Sequence, residues 1–68
     1  MKHTFLYNTG THIYYEIDGK CYFIKESDVS SDRVDAIINV WHTFMGNLLT
    51  VDNCPVDCPA EIAHKYLS

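Results

Sequence analysis

The residues with the clearest chemical potential lie in one segment, DNCPVDCPAEIAH, at positions 52–64. Cys54, Cys58 and His64 are spaced so that they can share a zinc ion, and His42 or Cys21 would supply the fourth ligand of a tetrahedral site. The segment lacks the two-residue cysteine spacings of a zinc ribbon. A zinc-stabilised structural or interaction module is therefore an alternative and not the leading interpretation.

The same cysteines also allow two interpretations without a metal. Cys58 precedes Pro59, a residue suited to the start of a helix, and a helix N-terminus lowers the pKa of a thiol. A catalytic thiol also needs an oriented base, which the local sequence does not supply. Free cysteines are among the most frequently buried residues. We therefore expect Cys54 and Cys58 to fill space beneath a helix connection and His64 to lie at the surface, with no cofactor.

Charge and composition limit the classes of function. The chain has 68 residues, a hydrophobic content of 47% that is typical of a folded protein, and a formal net charge of -4. Phosphate backbones repel an acidic chain whose few basic residues are scattered, so we expect no direct nucleic-acid binding. The sequence has no glycine-rich phosphate loop, H-E-x-x-H pair or nucleophile elbow, and we expect no enzymatic activity.

Four carboxylates form an acidic run between the N-terminal strands and the first helix. They are Glu26, Asp28, Asp32 and Asp35. Such a run can attract a basic partner or imitate the phosphates of a nucleic acid. The simpler alternative is a solvated turn followed by negative charge at a helix N-terminus, where the helix dipole favours it.

Neither a signal peptide nor a membrane span is evident in the sequence. Polar residues interrupt the N-terminal region, and no segment approaches the ~20 apolar residues of a membrane span. Three cysteines, an odd number, argue against a secreted disulfide framework. We expect a soluble, cytoplasmic protein with reduced thiols and no membrane association.

The positions of these residues depend on the elements that carry them. The stretch IYYEIDGKCYFIK reads as two strands joined by Asp18-Gly19, a strong signal for a two-residue hairpin turn. The turn sets the register on the inner face, which pairs Ile17 with Lys20, Tyr15 with Tyr22 and Ile13 with Ile24. The preceding run HTFLY predicts a third strand whose Phe5 and Tyr7 join the same face.

The register leaves aromatic residues on the outer face of the hairpin. Tyr14 lies opposite Phe23, with Leu6 alongside and His12 at the rim. Large apolar groups with a polar rim are typical of an interaction surface. The alternative is that two helices lie on opposite sides of the sheet and cover both of its faces.

A long amphipathic helix is predicted after the strands. Its apolar residues recur at spacings of three and four and form the stripe Val34, Ile37, Ile38, Trp41, Phe44, Met45 and Leu48. Ala36 and Val40 widen the stripe beyond what one small sheet covers, which favours a homodimer. We therefore predict a single α+β domain spanning residues 1–68: a small antiparallel β-hairpin or three-stranded sheet, the long amphipathic helix, and a short C-terminal helix.

Together these features predict a small, acidic, non-enzymatic protein-binding module that forms a homodimer. The candidate partner-binding residues are Tyr14, Phe23, Leu6, His12, Glu26, Asp28, Asp32 and Asp35. In size and charge alone, the chain resembles the inhibitors that phages and mobile elements direct against host enzymes, including anti-restriction and anti-CRISPR proteins. That resemblance implies a host nucleic-acid enzyme as the protein partner.

Overall fold

The computed structural model describes residues 3–30 and 33–67, which form a four-stranded antiparallel sheet and two helices. The strands lie in chain order: β1 (His3–Asn8), β2 (His12–Ile17), β3 (Lys20–Lys25) and β4 (Asn47–Leu48). Helix α1 consists of three consecutive segments, Val34–Ala36, Ile37–Trp41 and His42–Met45. Helix α2 spans Ala60–Leu67, and a 3-10 turn, Glu26–Asp28, follows β3. The α+β class predicted from the sequence is confirmed.

The hairpin of β2 and β3 has the predicted turn and register. Asp18 and Gly19 both have positive φ angles, 52° and 83°, as a two-residue turn of this kind requires. The inner-face pairs are Ile17 with Lys20, Tyr15 with Tyr22 and Ile13 with Ile24. The Asp-Gly signal therefore predicts the register of all six residue pairs between β2 and β3.

Strand β1 is the predicted third strand, but a β-bulge changes its faces. Its pairing with β2 shifts between Phe5 and Tyr7, so that Phe5 lies opposite Tyr15 whereas Tyr7 lies opposite Tyr14. The extra residue at Leu6 reverses the alternation of side chains from that point onward. The prediction that Phe5 and Tyr7 share the inner face is wrong, and their side chains are 43% and 53% exposed.

Helix α1 ends earlier than the apolar stripe predicted. It stops at Met45, and Gly46 takes an extended conformation. The next residues form β4, in which Leu48 pairs with Tyr22. The prediction that the helix continues through Leu48 is therefore wrong, and the fourth strand was missed because a two-residue strand has no periodicity to detect.

The apolar stripe of α1 is also interrupted along its length. Ile37 and Ile38 are buried and Trp41 packs against the same cluster, whereas Phe44 is 77% exposed. The segment Ile37–Trp41 is π-helical, with a wider turn than an α-helix. Each residue of a wider turn rotates through a smaller angle than in an α-helix, so the residues after it lag in phase and Phe44 leaves the stripe that an unbroken α-helix would bury.

Both faces of the sheet are covered. On the α1 face, strand residues such as Tyr15 and Ile24 pack against Ile37 and Ile38. On the opposite face, called the α2 face, the core cluster consists of Tyr14, Cys21, Phe23, Leu49 and Ile62. The structure therefore has two small cores separated by one sheet. Among residues 3–30 and 33–67, no helix combines the length and apolar character needed to cross a membrane.

Candidate functional site

The aromatic residues predicted to bind a partner are buried on the α2 face. Tyr14 is fully inaccessible and Phe23 is 8% exposed. Leu6 is half-buried and packs against the same cluster. The expectation that this face is an exposed surface is wrong because the chain after β4 folds back over it and places Leu49 and Ile62 on the aromatic rings. A partner cannot reach Tyr14 and Phe23 while this segment stays in place.

His12, the predicted rim residue, belongs to a polar cluster centred on Asp57. Its Nδ1 atom lies 3.2 Å from Asp57 Oδ1. Thr9 Oγ1 donates a hydrogen bond of 2.5 Å to Asp57 Oδ2, and Thr11 Oγ1 donates another to the same oxygen. Tyr14 Oη donates a longer bond of 3.4 Å to Oδ1. Asp57 therefore attaches the loop between β1 and β2 to the segment that precedes α2.

The combination of threonine, histidine and aspartate has the residue types of a hydrolytic triad but not its geometry. In a triad the carboxylate and the nucleophile contact different nitrogens of the histidine. Here Thr11 Oγ1 and Asp57 both approach Nδ1 of His12, at 3.1 Å and 3.2 Å. The hydroxyl groups donate to the carboxylate instead of to a base. This arrangement serves as a structural clamp.

We expect the Asp57 clamp to make the stability of the fold depend on pH. Hydrogen bonds from Thr11 and Thr9 to the carboxylate hold the pKa of Asp57 well below its ordinary value of 3.8. A lowered folded-state pKa gives stability that is present above the unfolded value and is lost as pH falls through the folded value. Asp57→Asn should lower the Tm at neutral pH, and the difference from the natural protein should shrink below about pH 4.

Thermal unfolding followed by circular dichroism at several pH values tests this prediction. Asp52→Asn is the matched control, because Asp52 is exposed in the same segment and should leave the Tm unchanged. A difference between Asp57→Asn and the natural protein that stayed constant down to pH 2 would contradict the proposed clamp.

Only the three cysteines among the predicted zinc ligands lie close to one another. Cys21 belongs to the core cluster of the α2 face and Cys54 and Cys58 pack against it, whereas His64 is exposed on α2. His42 lies on the α1 face, where its ring contacts Tyr15 and Tyr22. The described residues contain no group of three or more histidine, cysteine, aspartate or glutamate side chains arranged to hold a metal ion. The zinc alternative is therefore not supported by the positions of its own candidate ligands.

The thiols lack the environment of a reactive cysteine. Burial raises the pKa of Cys58 to about 11 and that of Cys21 to about 12. The dipole of α2 does not reverse this effect at Cys58, because α2 begins two residues later, at Ala60. The residue that caps the helix is Pro59, whose carbonyl accepts the first backbone hydrogen bonds of α2. Cys54 and Cys58 pack against the core cluster of the α2 face, which agrees with the expectation that they fill space.

We expect Cys58 to react slowly with alkylating reagents. A pKa of about 11 in place of the ordinary 9.0 lowers its thiolate fraction at pH 8 about a hundredfold. Iodoacetamide labelling followed by peptide mass spectrometry measures the rate, with glutathione as the reference thiol. Labelling in urea is the control and should be fast. A folded-state rate at Cys58 equal to or above that of glutathione would contradict the protonated, packed thiol.

The acidic run is only partly gathered into one place. Glu26 and Asp28 lie in the 3-10 turn after β3, and Asp28 is exposed. Asp35 lies in the first turn of α1, where its carboxylate is 2.6 Å from the guanidinium of Arg33. Asp32 lies outside the described residues. The positive charge of Arg33 neutralises the negative charge of Asp35. Within the described residues, the predicted negative surface is therefore reduced to Glu26 and Asp28.

A surface that the sequence did not reveal lies along β1. This strand is at the end of the sheet and, within residues 3–30 and 33–67, pairs with β2 alone. A groove flanks it on each face of the sheet. The α1-face groove has a volume of about 400 Å³ and is lined by Phe5, Asn8, Ile13, Glu26, Val29, Ser30, Val34 and Ile37. The α2-face groove has a volume of about 320 Å³ and is lined by Leu6, Tyr7, Pro59, Ala60 and Glu61.

Known proteins offer no assignment for this edge. No protein-family model, curated protein or solved structure matches the chain. The grooves must therefore be interpreted from their own residues. Each groove combines an aromatic side chain of β1, Phe5 or Tyr7, with one glutamate, Glu26 or Glu61.

Part of this edge was detectable in the sequence. A chain of three strands joined by short turns leaves the first strand at the edge, so the position of β1 follows from the predicted meander. The grooves themselves were not detectable, because one depends on the bulge at Leu6 and the other on the path of Val29 and Ser30 toward α1.

Proposed function

We propose that this chain is a small, acidic, non-enzymatic protein-binding module that takes up an extended segment of a partner protein along the free edge of β1. The observation that supports the proposal most strongly is the edge strand with a groove on each face. The buried aromatic pair Tyr14 and Phe23 has no part in it. Tyr14 instead supports the strand from β2, where it lies opposite Tyr7, and Phe23 on β3 lies opposite Tyr14.

An edge strand can pair with an incoming strand through its unused backbone groups. Such strand addition obtains affinity from main-chain hydrogen bonds and specificity from pockets that receive alternate side chains. Proteins that avoid this pairing commonly place lysine or proline in their edge strands. The sequence of β1, HTFLYN, contains neither residue. Its exposed Phe5 and Tyr7 add apolar area next to the free backbone.

The non-enzymatic part of the proposal is supported by the protonation of the cysteine thiols and by the hydrogen bonding of His12. Cys58 and Cys21 have raised pKa values because they are buried. His12 uses its Nδ1 atom in the Asp57 clamp. Such a module would inhibit an enzyme if the bound segment belonged to the active site or the substrate-binding surface of that enzyme. Inhibition of a host enzyme is therefore part of the proposal.

Selection from a displayed library of extended peptides tests the proposed function. Binding peptides should slow amide hydrogen exchange in β1 and should shift the resonances of Phe5 and Tyr7. Tyr7→Ala should weaken binding by about tenfold, as expected for an interface aromatic, while the control Val51→Ala, at a residue that is 75% exposed outside the grooves, should leave it unchanged. Peptides that slow amide exchange in β4 or α1 instead of β1 would overturn the assignment of the binding site to β1.

The exposed side of α1 supports a second proposal, that the protein forms a homodimer. Val40 and Phe44 are 53% and 77% exposed and lie four positions apart on the helix. Self-association would cover them and would add the buried area that a chain of this length needs. Analytical ultracentrifugation should detect a dimer that Phe44→Glu dissociates, whereas Thr43→Glu on the same helix should not. A monomer at high concentration would contradict this proposal.

A further inference from the structure

We infer that the segment bound along β1 carries two consecutive basic residues, and that one of their side chains enters each groove. This inference rests on the proposed strand addition and specifies which side chains the bound segment carries. It depends on three features of the edge: the composition of each groove, the position of the grooves on opposite faces, and the charge of the whole chain.

The α1-face groove fits a long basic side chain. Its apolar wall includes Phe5 and Val34, which are 43% and 41% exposed. Glu26 provides a carboxylate in the same groove and forms no ion pair with any described residue. Lysine and arginine bury their aliphatic stems against apolar surface while the cationic end stays at a polar group or in water. The groove offers both parts of that environment.

The α2-face groove has the same pattern in a smaller volume. Leu6 and Pro59 form apolar walls, and Glu61, which is exposed and without an ion pair among the described residues, supplies the carboxylate. Tyr7 is 53% exposed beside them. An aromatic ring attracts a cation over its face, so Tyr7 reinforces the preference of this groove for a basic group.

The consecutive spacing follows from the geometry of an added strand. Successive residues of a strand point to opposite faces of the sheet. Phe5 and Asn8 border the α1-face groove, and Leu6 and Tyr7 between them border the α2-face groove. The two grooves therefore flank the same short stretch of β1. Two neighbouring residues of the incoming strand reach both grooves, whereas residues two positions apart reach the same one.

Charge complementarity selects a basic partner segment over a second copy of this chain. Each copy has a formal net charge of -4. Pairing of β1 with β1 of a second copy would bring Glu26 and Glu61 of both copies to one junction, and facing like charges oppose association. A segment with two lysines or arginines neutralises both carboxylates. The occupant that fits is an extended, dibasic segment of another protein.

Synthetic peptides test the inference directly. The test peptide is an extended, β-branched sequence with two adjacent lysines at its centre. One comparison peptide separates the lysines by a single residue, and the other replaces both lysines by norleucine, which keeps the aliphatic stem and removes the charge. Dissociation constants are measured by NMR titration at low and high salt, and hydrogen exchange in β1 is recorded for each peptide.

The adjacent-lysine peptide should bind about tenfold tighter than the norleucine peptide at low salt and should lose most of that advantage at high salt. Glu26→Gln and Glu61→Gln should each weaken its binding about threefold, and the double variant should abolish the preference. Asp52→Asn is the control for a general loss of negative charge and should have a smaller effect.

The outcomes separate the inference from the proposed function. Equal binding of all three peptides, with protection of β1, would overturn the dibasic preference and leave strand addition intact. Equal binding of the adjacent and separated lysines would overturn the placement of one side chain in each groove. If no peptide, including those from the library, protects β1 from exchange, both proposals fail. A dimer whose β1 amides are protected in the absence of peptide would show that a second copy is the occupant and would overturn the inference.

Discussion

Tyr14→Ala should unfold the protein under conditions in which the natural chain is folded. Truncating a buried aromatic residue costs about 3–5 kcal/mol, since it removes packed surface and leaves a cavity. A core of this size rarely supplies more than about 3–5 kcal/mol in total. Tyr14 is fully inaccessible and centres the α2-face core with Phe23 and Ile62. Urea unfolding followed by far-ultraviolet circular dichroism measures the loss.

The matched control for Tyr14→Ala is Phe44→Ala, an aromatic truncation at a residue that is 77% exposed. It should change the free energy of unfolding by less than about 0.5 kcal/mol when measured at low protein concentration, where a dimer would dissociate. Tyr14→Phe keeps the ring and loses only the interactions of the hydroxyl group with Asp57 and Cys58, so it should remain folded. A folded Tyr14→Ala variant with normal stability would show that the α2 face is open, as the sequence-based interpretation expected.

The contrast between Tyr14 and Phe44 shows where sequence patterns suffice. Alternation and the Asp-Gly turn predicted which residues of β2 and β3 share a face, because both are local properties. They did not indicate what covers each face. Tyr14 and Phe23 are buried by Leu49 and Ile62, and the position of these residues depends on the path of the chain after β4. Cover of this kind is a long-range property without a local signal.

Single-residue irregularities account for the other differences between prediction and structure. The bulge at Leu6 transfers Tyr7 to the α2 face, and the π-helical turn ending at Trp41 exposes Phe44. Periodicity predicts faces only while the repeat is constant. An inserted residue reverses the faces of a strand, and a π-helical turn rotates the faces of a helix, for the residues that follow. Both irregularities affect proposed binding surfaces. The surfaces were therefore predicted less well than the elements that carry them.

Gly46→Ala should destabilise the protein by about 1–3 kcal/mol, the usual cost of overpacking. The backbone of Gly46 has φ −66° and ψ 135°, which any residue can adopt, so conformational entropy alone would favour alanine. The obstacle is steric. A Cβ atom at this position would lie 2.5 Å from Tyr15 Oη and 2.8 Å from the carbonyl oxygen of His42, with His42 Nδ1 also in the way. Urea unfolding of the variant gives the cost and its sign.

A double-mutant cycle with His42→Ala identifies what resists the added methyl group. Tyr15 Oη lies 2.5 Å from His42 Nδ1, and burial lowers the pKa of His42, which favours the neutral imidazole in this contact. Removing the imidazole clears one clash and frees the Tyr15 hydroxyl to move. Gly46→Ala should therefore cost less than half as much in the His42→Ala background. An equal cost in both backgrounds would place the strain at the His42 carbonyl and the backbone. A stabilising Gly46→Ala would show that the end of α1 does not pack closely against Tyr15.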